Sequence, residues 1–124
     1  MRALIVDDSS AMRKILQRVL GSCGFDDFLH AENGVQALDV LDAGQLPEVA
    51  FVDWNMPEMS GIELVRAIRA DSGYDAIAVV MVTSETAFEN IQTAIDAGAD
   101  EYVMKPFTSD IICDKLALVR SARG

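Results

Sequence analysis

The chain has 124 residues, 51% of them apolar, with 20 acidic against 10 basic side chains and a formal net charge of −10. That length bounds a single domain able to bury most of its surface. The charge opposes docking on a phosphate backbone, which needs clustered Lys and Arg, and favours a cation ligand or partners with basic or apolar surfaces. No apolar run approaches the roughly 18 residues of a membrane span. The N-terminus enters a strand without a basic region, apolar stretch and cleavage site, so no secretory signal is expected and a cytoplasmic location is the natural reading.

In chain order, the apolar run Ala3-Leu4-Ile5-Val6 reads as a first strand. Over 9–23, Met12, Ile15, Leu16, Val19 and Leu20 follow the i, i+3, i+4, i+7, i+8 spacing of a buried helical stripe, with Ser9 or Ser10 able to cap its start and Gly21 or Gly24 its end. A short second strand covers 28–31, where the lone His30 is expected at the strand surface rather than as a ligand. A second helix over 33–43 turns Val35, Leu38 and Leu41 inward and stops at Gly44. Val49-Ala50-Phe51-Val52 is a third strand, and a third helix over 61–70 carries Ile62, Val65 and Ile68. The run from Ile77 to Val82 is a fourth strand. A fourth helix over 88–97 carries Ile91 and Ile95 and is stopped by Gly98. Tyr102-Val103-Met104 is a fifth strand, and a last helix over 109–120 puts Ile112, Leu116 and Val119 on one face.

Five β/α units in regular alternation predict an α/β fold, a parallel doubly wound sheet with helices on both faces. Two strand orders are plausible for five strands. In the flavodoxin-like order 2-1-3-4-5, strands 1 and 3 lie side by side at a switch point, where open sheets bind ligands beyond their carboxyl ends. Cys23 and Cys113, 90 positions apart and without metal spacing, read as small apolar residues in the reduced state.

Asp7 and Asp8, Asp53, Thr83 and Lys105 each stand where an apolar strand gives out. A shared edge therefore collects three carboxylates, a hydroxyl and an ammonium. Two carboxylates about 4 Å apart repel by roughly 4 kcal/mol at an effective dielectric near 20, so three require a proton or a cation. Hard oxygen donors at an open edge suit Mg²⁺, which keeps several waters and takes one or two carboxylates. An adjacent Asp pair alone would more simply favour the first helix's N-terminus; Asp53 at the neighbouring strand end turns the reading toward the metal. A strand-end carboxylate can also act as a nucleophile and form an acyl phosphate. Phosphoryl transfer then needs positioning and charge neutralisation, for which Lys105 offers a point charge and Thr83 a donor. The Lys105-Pro106 bond is a candidate for the cis form.

Val6-Asp7-Asp8-Ser9, the stretch from Asp53 to Gly61 (Asp-Trp-Asn-Met-Pro-Glu-Met-Ser-Gly), Val82-Thr83-Ser84-Glu85, Glu89-Asn90-Ile91 and Tyr102-Val103-Met104-Lys105-Pro106-Phe107-Thr108 resemble the two-component response regulator receiver domains, and among them the stand-alone chemotaxis regulators. The resemblance spans the whole chain and implies a single receiver domain over 1–124 with no output domain. It implies that Asp53 accepts a phosphoryl group from a phosphohistidine of a sensor histidine kinase (CheA-like). It further implies that Asp8, Asp53 and the backbone carbonyl of Asn55 hold Mg²⁺, with Asp7 acting through water. Lys105 and Thr83 would bond the phosphoryl group, and Tyr102 would rotate inward as Thr83 moves. Asn55 and Glu85 would tune the attack of hydrolytic water. Such a protein is a signalling switch, not an enzyme acting on free substrates, and catalyses only its own phosphotransfer and dephosphorylation. The implied partners are the kinase, an effector such as the flagellar motor switch, and a phosphatase, with no nucleic acid and no membrane.

The expected partner surface comprises Phe88, Ile91, Tyr102, Lys115 and Leu118. It departs from the chemotaxis pattern by being less basic, with Ala87-Phe88-Glu89 where basic residues are usual and Asp100-Glu101 adding acid just before Tyr102, and by carrying apolar Phe88 and Leu118. The plain alternative is that Phe88 and Leu118 pack locally. Three other functions compete: a relay or phosphate sink, an inert receiver-like binding module, and a Mg²⁺-dependent phosphatase with an aspartate nucleophile. The phosphatase class of haloacid dehalogenase type needs a second Asp two residues after the nucleophile, whereas Asn55 follows Asp53 and Ser9 follows Asp7. An inert module would lack one of Asp53, Thr83 and Lys105.

Overall fold

The computed structural model describes residues 1–84 and 88–123. Five strands, β1 (Arg2–Val6), β2 (Asp27–Ala31), β3 (Val49–Val52), β4 (Ala78–Thr83) and β5 (Glu101–Met104), alternate with five helices, α1 (Ser10–Ser22), α2 (Gly34–Asp42), α3 (Gly61–Ala70), α4 (Phe88–Ala97) and α5 (Ser109–Arg123). All strand pairs are parallel and the order is β2-β1-β3-β4-β5, as one of the two expected arrangements requires. A 3-10 turn, Ser72–Tyr74, follows α3.

The period-2 alternation of the strands builds two cores. Leu4, Val6, Ala50, Val52, Val79 and Met81 face α2, α3 and α4. Ala3, Ile5, Val49, Phe51, Val80 and Val82 face α1 and α5, where they meet Leu16, Leu20, Ile112 and Leu116. β3 and β4 are buried throughout, which explains why they read as unbroken apolar runs. Each fully buried Leu, Ile or Phe contributes about 1.5–3 kcal/mol.

Local chemistry sets the helix starts. Ser9 caps α1 by accepting from Met12 N at 3.1 Å, and Asn33 caps α2 by accepting from Gln36 N at 2.9 Å. Ser60 and Glu63 form a reciprocal capping box at α3. The caps matter because every helix begins at the edge where the candidate residues gather. At the opposite edge, the Asp100 carboxylate accepts from Arg69, Arg123 and the Val79 N–H, clamping β5 between α3 and α5.

Several expectations need correction. Ile15 and Val35, read as inward-facing, are 45% and 42% exposed. A helix lying on a sheet buries one stripe, and residues on the flank of that stripe meet solvent unless a neighbouring helix covers them. Gly21 lies inside α1, whose C-cap is Cys23, followed by Gly24 at φ +104°. Cys23 and Cys113 are not reduced: they form a disulfide with a Cα–Cα separation of 5.6 Å. Distance along the chain concealed this pair, because the parallel topology returns the last helix to the side of the first. His30 is exposed on edge strand β2 as expected, with Nε2 at 2.6 Å from Gln17 Oε1.

Candidate functional site

The register of the central strands assembles the acidic edge. Val6 pairs with Val52 across β1 and β3, so Asp7 and Asp53 both fall one residue beyond the ladder. Asp53 N donates to Val6 O at 2.9 Å and Asp7 N to Ala31 O at 3.1 Å, which holds both backbones as each strand ends. Thr83 is the last residue of β4 and pairs with Met104, and Lys105 N donates to Thr83 O at 2.9 Å. The five residues singled out in the sequence thus share one edge.

Carboxylate oxygens of Asp7, Asp8 and Asp53 lie within 4.8 Å of one another. Asp7 is buried, Asp53 half-buried and Asp8 exposed, so the cluster opens to solvent on one side. Lys105 Nζ sits 3.0 Å from Asp7 Oδ2 and 3.6 Å from Asp53 Oδ1. One ammonium among three carboxylates leaves a local charge deficit. An all-oxygen donor set with an open side fits a hard divalent cation, which would meet that deficit and still keep water ligands. This cluster is able to hold such a metal.

Burial raises the pKa of Asp53 above the ordinary carboxylate value; Lys105 opposes this, while the charge of Asp7 adds to it. Hydrogen bonds from Trp54 N, at 2.8 Å to Oδ1, and from the Thr83 hydroxyl also favour the ionised form. Asp53 is therefore a carboxylate held partly out of water with a cation beside it, a suitable environment for a nucleophile.

Three supporting contacts escaped the sequence reading. Ser9 N donates to Asp7 Oδ1 at 2.9 Å, and Arg13 Nη1 donates to Asp7 O at 2.7 Å, fixing the residue at the end of β1. The helix-cap spacing signals the first; nothing in the linear chain signals the second. Gly61, at the first position of α3, would place a Cβ 2.1 Å from Asp53 O, so the backbone of the α3 start lies against that of Asp53. The Lys105-Pro106 bond is cis.

Of the remaining expected residues, Asn55 is exposed in the loop after β3. Tyr102 is buried at 7% exposure in the core beneath α4, and Ile91 packs against the same cluster. Lys115 binds Glu101 at 3.1 Å, and Leu118 is 58% exposed rather than packed locally. Glu85 and the side chain of Phe88 lie outside the described residues.

Residues 3–117 match the response regulator receiver domain family. The chain is 44% identical over 119 residues to the chemotaxis protein CheY1 of Helicobacter pylori, covering 96% of each, and 45% identical over 116 residues to a chemotaxis protein CheY homolog of Campylobacter jejuni, covering 94% of this chain and 89% of the relative. Among solved structures, the chemotaxis protein CheY4 of Vibrio cholerae superposes with a TM-score of 0.85 at 32% identity, over 95% of this chain and 97% of that one. A CheY-like receiver from Methanospirillum hungatei superposes with a TM-score of 0.84 at 28% identity, over 98% and 94%.

Proposed function

The chain belongs to the response regulator receiver family, the phosphorylation-dependent switches of two-component systems, and from that premise we propose that Asp53 is its phosphoacceptor and that its output is binding of a chemotaxis effector. The observation that carries the reading is the convergence of Asp7, Asp8, Asp53, Thr83 and Lys105 at one sheet edge, with Asp53 half-buried between a cation and two hydrogen-bond donors.

In the transfer, an Asp53 oxygen attacks the phosphorus of a phosphohistidine, the P–N bond breaks and the imidazole leaves. Lys105 lies within reach of the new phosphoryl oxygens and neutralises part of their charge. Thr83 donates its hydroxyl to one of them, and Trp54 N holds Asp53 Oδ1 in orientation. Asp8, Asp53 and the carbonyl of Asn55 would hold Mg²⁺, with Asp7 reaching it through water; the ion supplies electrostatic stabilisation of the transferring group. Asn55 and Glu85 set how readily water attacks the acyl phosphate. The protein acts as a signalling switch rather than a metabolic enzyme.

Switching follows from differential bonding. Phosphorylation gives Thr83 a new acceptor and biases the segment after β4, and Tyr102, one strand away, reports that bias to the surface of α4, β5 and α5. A partner that prefers one arrangement must in turn favour phosphorylation. The surface offered has exposed Met104, Ile111 and Leu118, and Lys115 is already paired with Glu101. It suits an effector recognised more by apolar burial than by charge. We assign the partners as a CheA-like histidine kinase, a flagellar-switch effector and a phosphatase, in the cytoplasm. The near-complete coverage of the chemotaxis relatives supports that assignment, and no described helix is long and apolar enough to cross a membrane.

Trp54, the sole tryptophan, follows Asp53 directly and is half-buried. Its emission should change on Mg²⁺ addition and again on adding acetyl phosphate or beryllofluoride, with the second step lost in Asp53→Asn. A folded protein silent to both additions would overturn the reading.

A further inference from the structure

The Cys23–Cys113 bond has no part in the phosphotransfer chemistry, yet it joins the first helix to the last across 90 residues. The fold does not depend on it for a core. On that face of the sheet Leu16, Leu20, Phe25, Phe51, Ile112 and Leu116 are all nearly or fully buried and form one continuous cluster. A domain of this size buries enough apolar surface to fold without a covalent staple. Both cysteines are half-buried, with Cys23 packed against the edge of the cluster rather than sealed inside it. Their Cα–Cα separation of 5.6 Å is one that a disulfide spans without backbone movement, so the dithiol and disulfide forms can share one backbone.

The position of the bond gives it a consequence. Cys23 is the C-cap of α1, and Cys113 lies one turn into α5. Lys115 and Leu118 follow at two and five residues beyond Cys113, on the same helix. With the bond closed, α5 is tied to α1 covalently; with it open, α5 is held by side-chain packing and by its ion pairs to Glu101, Glu48 and Asp100, none of which reaches α1. We propose that Cys23 and Cys113 form a reversible thiol–disulfide site, oxidised by small uncharged disulfides, that sets how freely α5 moves against α1.

The chemistry balances without a further reactant. One cysteine thiolate attacks the small disulfide, releasing one thiol and leaving a mixed disulfide on the protein. The second cysteine then attacks the first cysteine's sulfur in that mixed disulfide, forming the Cys23–Cys113 bond and releasing the second thiol. Two protein thiols are oxidised, the small disulfide is reduced, and the two thiol protons end on the released thiols. The surroundings set rate and selectivity. Cys113 is flanked by Asp110 and Asp114, and Cys23 sits at a helix C-terminus, where negative charge is disfavoured. The same acids and the net charge of −10 repel anionic disulfides such as oxidised glutathione.

The test uses the full chain, native throughout, in buffers of stepped 2-hydroxyethyl disulfide to 2-mercaptoethanol ratio. Free thiols are counted by alkylation and mass, and fold is followed by circular dichroism. The fully oxidised and fully reduced forms are then compared by amide hydrogen exchange. The expected result is complete interconversion without unfolding, with α5 amides exchanging about tenfold or more slowly when oxidised. Oxidised glutathione should act more slowly than the uncharged reagent, the gap narrowing as salt is added. Cys113→Ser should show the exchange of the reduced form in every buffer. Thiols that stay free at all ratios, a bond that opens only in denaturant, or α5 exchange indifferent to redox state would each overturn the proposal. The inference does not rest on the phosphotransfer reading, and an Asp53→Asn protein should behave identically in every arm.

Discussion

Gly61 lies against the backbone of Asp53 so closely that a Cβ at this position would stand 2.1 Å from the Asp53 carbonyl oxygen and 2.9 Å from its carbonyl carbon. The obstruction is backbone, which cannot rotate aside as a flexible side chain does. Gly61→Ala should cost about 1–3 kcal/mol of stability and slow phosphorylation of Asp53 by acetyl phosphate. Gly21, within α1 and with nothing within 4 Å of an added Cβ, supplies the contrast. Gly21→Ala should stabilise by about 0.5–1 kcal/mol and leave phosphorylation unchanged. Urea denaturation and phosphorylation rates measured on both variants check the pair.

Lys105 Nζ stands 3.0 Å from Asp7 and 3.6 Å from Asp53, where it competes with any metal for the same negative charge. Removing it with Lys105→Met should strengthen Mg²⁺ binding, by about tenfold once solvent screening is allowed for. The same change should slow phosphotransfer, since the charge on the transferring group loses a counter-ion. A Trp54 fluorescence titration separates the two effects. Weaker Mg²⁺ binding in the variant would show that Lys105 organises the carboxylates more than it competes.

Glu58 holds φ at +67°, the one non-glycine residue with positive φ among those described, and Met59 N donates back to Pro57 O at 2.7 Å. A side chain with a Cβ pays roughly 1–2 kcal/mol for that region, and Asn tolerates it better than Glu. Glu58→Asn should therefore stabilise by about 0.5–1 kcal/mol in urea denaturation. No gain would mean that the Glu58 side chain offsets the strain through contacts of its own.

His30 is held below its ordinary pKa, first by partial burial and then by the positive charge of Arg13. The folded state thus favours neutral His30, and the unfolded chain binds more protons as pH falls through its unperturbed value near 6.5. Stability from this group is present above that pH and is lost as pH falls through the lowered folded value. His30→Gln should flatten the fall in melting temperature between about pH 7 and pH 5. An unchanged slope would assign the acid sensitivity elsewhere.

Much of this molecule is legible in the linear chain because its elements obey local rules. The strands are apolar runs bounded by polar residues, and the capping residues Ser9, Asn33 and Ser60 stand where the helices begin. The bounds of β3, α3 and α4 agree with the sequence reading residue for residue. The chemistry was legible for a related reason. In a parallel sheet every strand ends at the same edge, so a polar residue after each apolar run is already a statement about proximity. Asp7, Asp53, Thr83 and Lys105 are far apart in sequence but share that one property.

What the linear pattern misjudged depends on neighbours. Ile15 and Val35 have the periodicity of buried residues, but periodicity gives a helix face and not the width of the surface that covers it. Their exposure is decided by where the adjacent helices end. The support of Asp7 by Arg13 likewise depends on how α1 folds back over the end of β1.

By itself, then, the sequence determined the order of elements and the polar residues that stand at each strand end, because these follow from short-range periodicity and capping. Only the tertiary structure decided that Cys23 meets Cys113, that Gly61 must lack a side chain beneath Asp53, and that Lys105 spans Asp7 and Asp53. Each of these depends on the separation of backbones brought together by sheet register and helix packing, and no spacing along the chain encodes that distance.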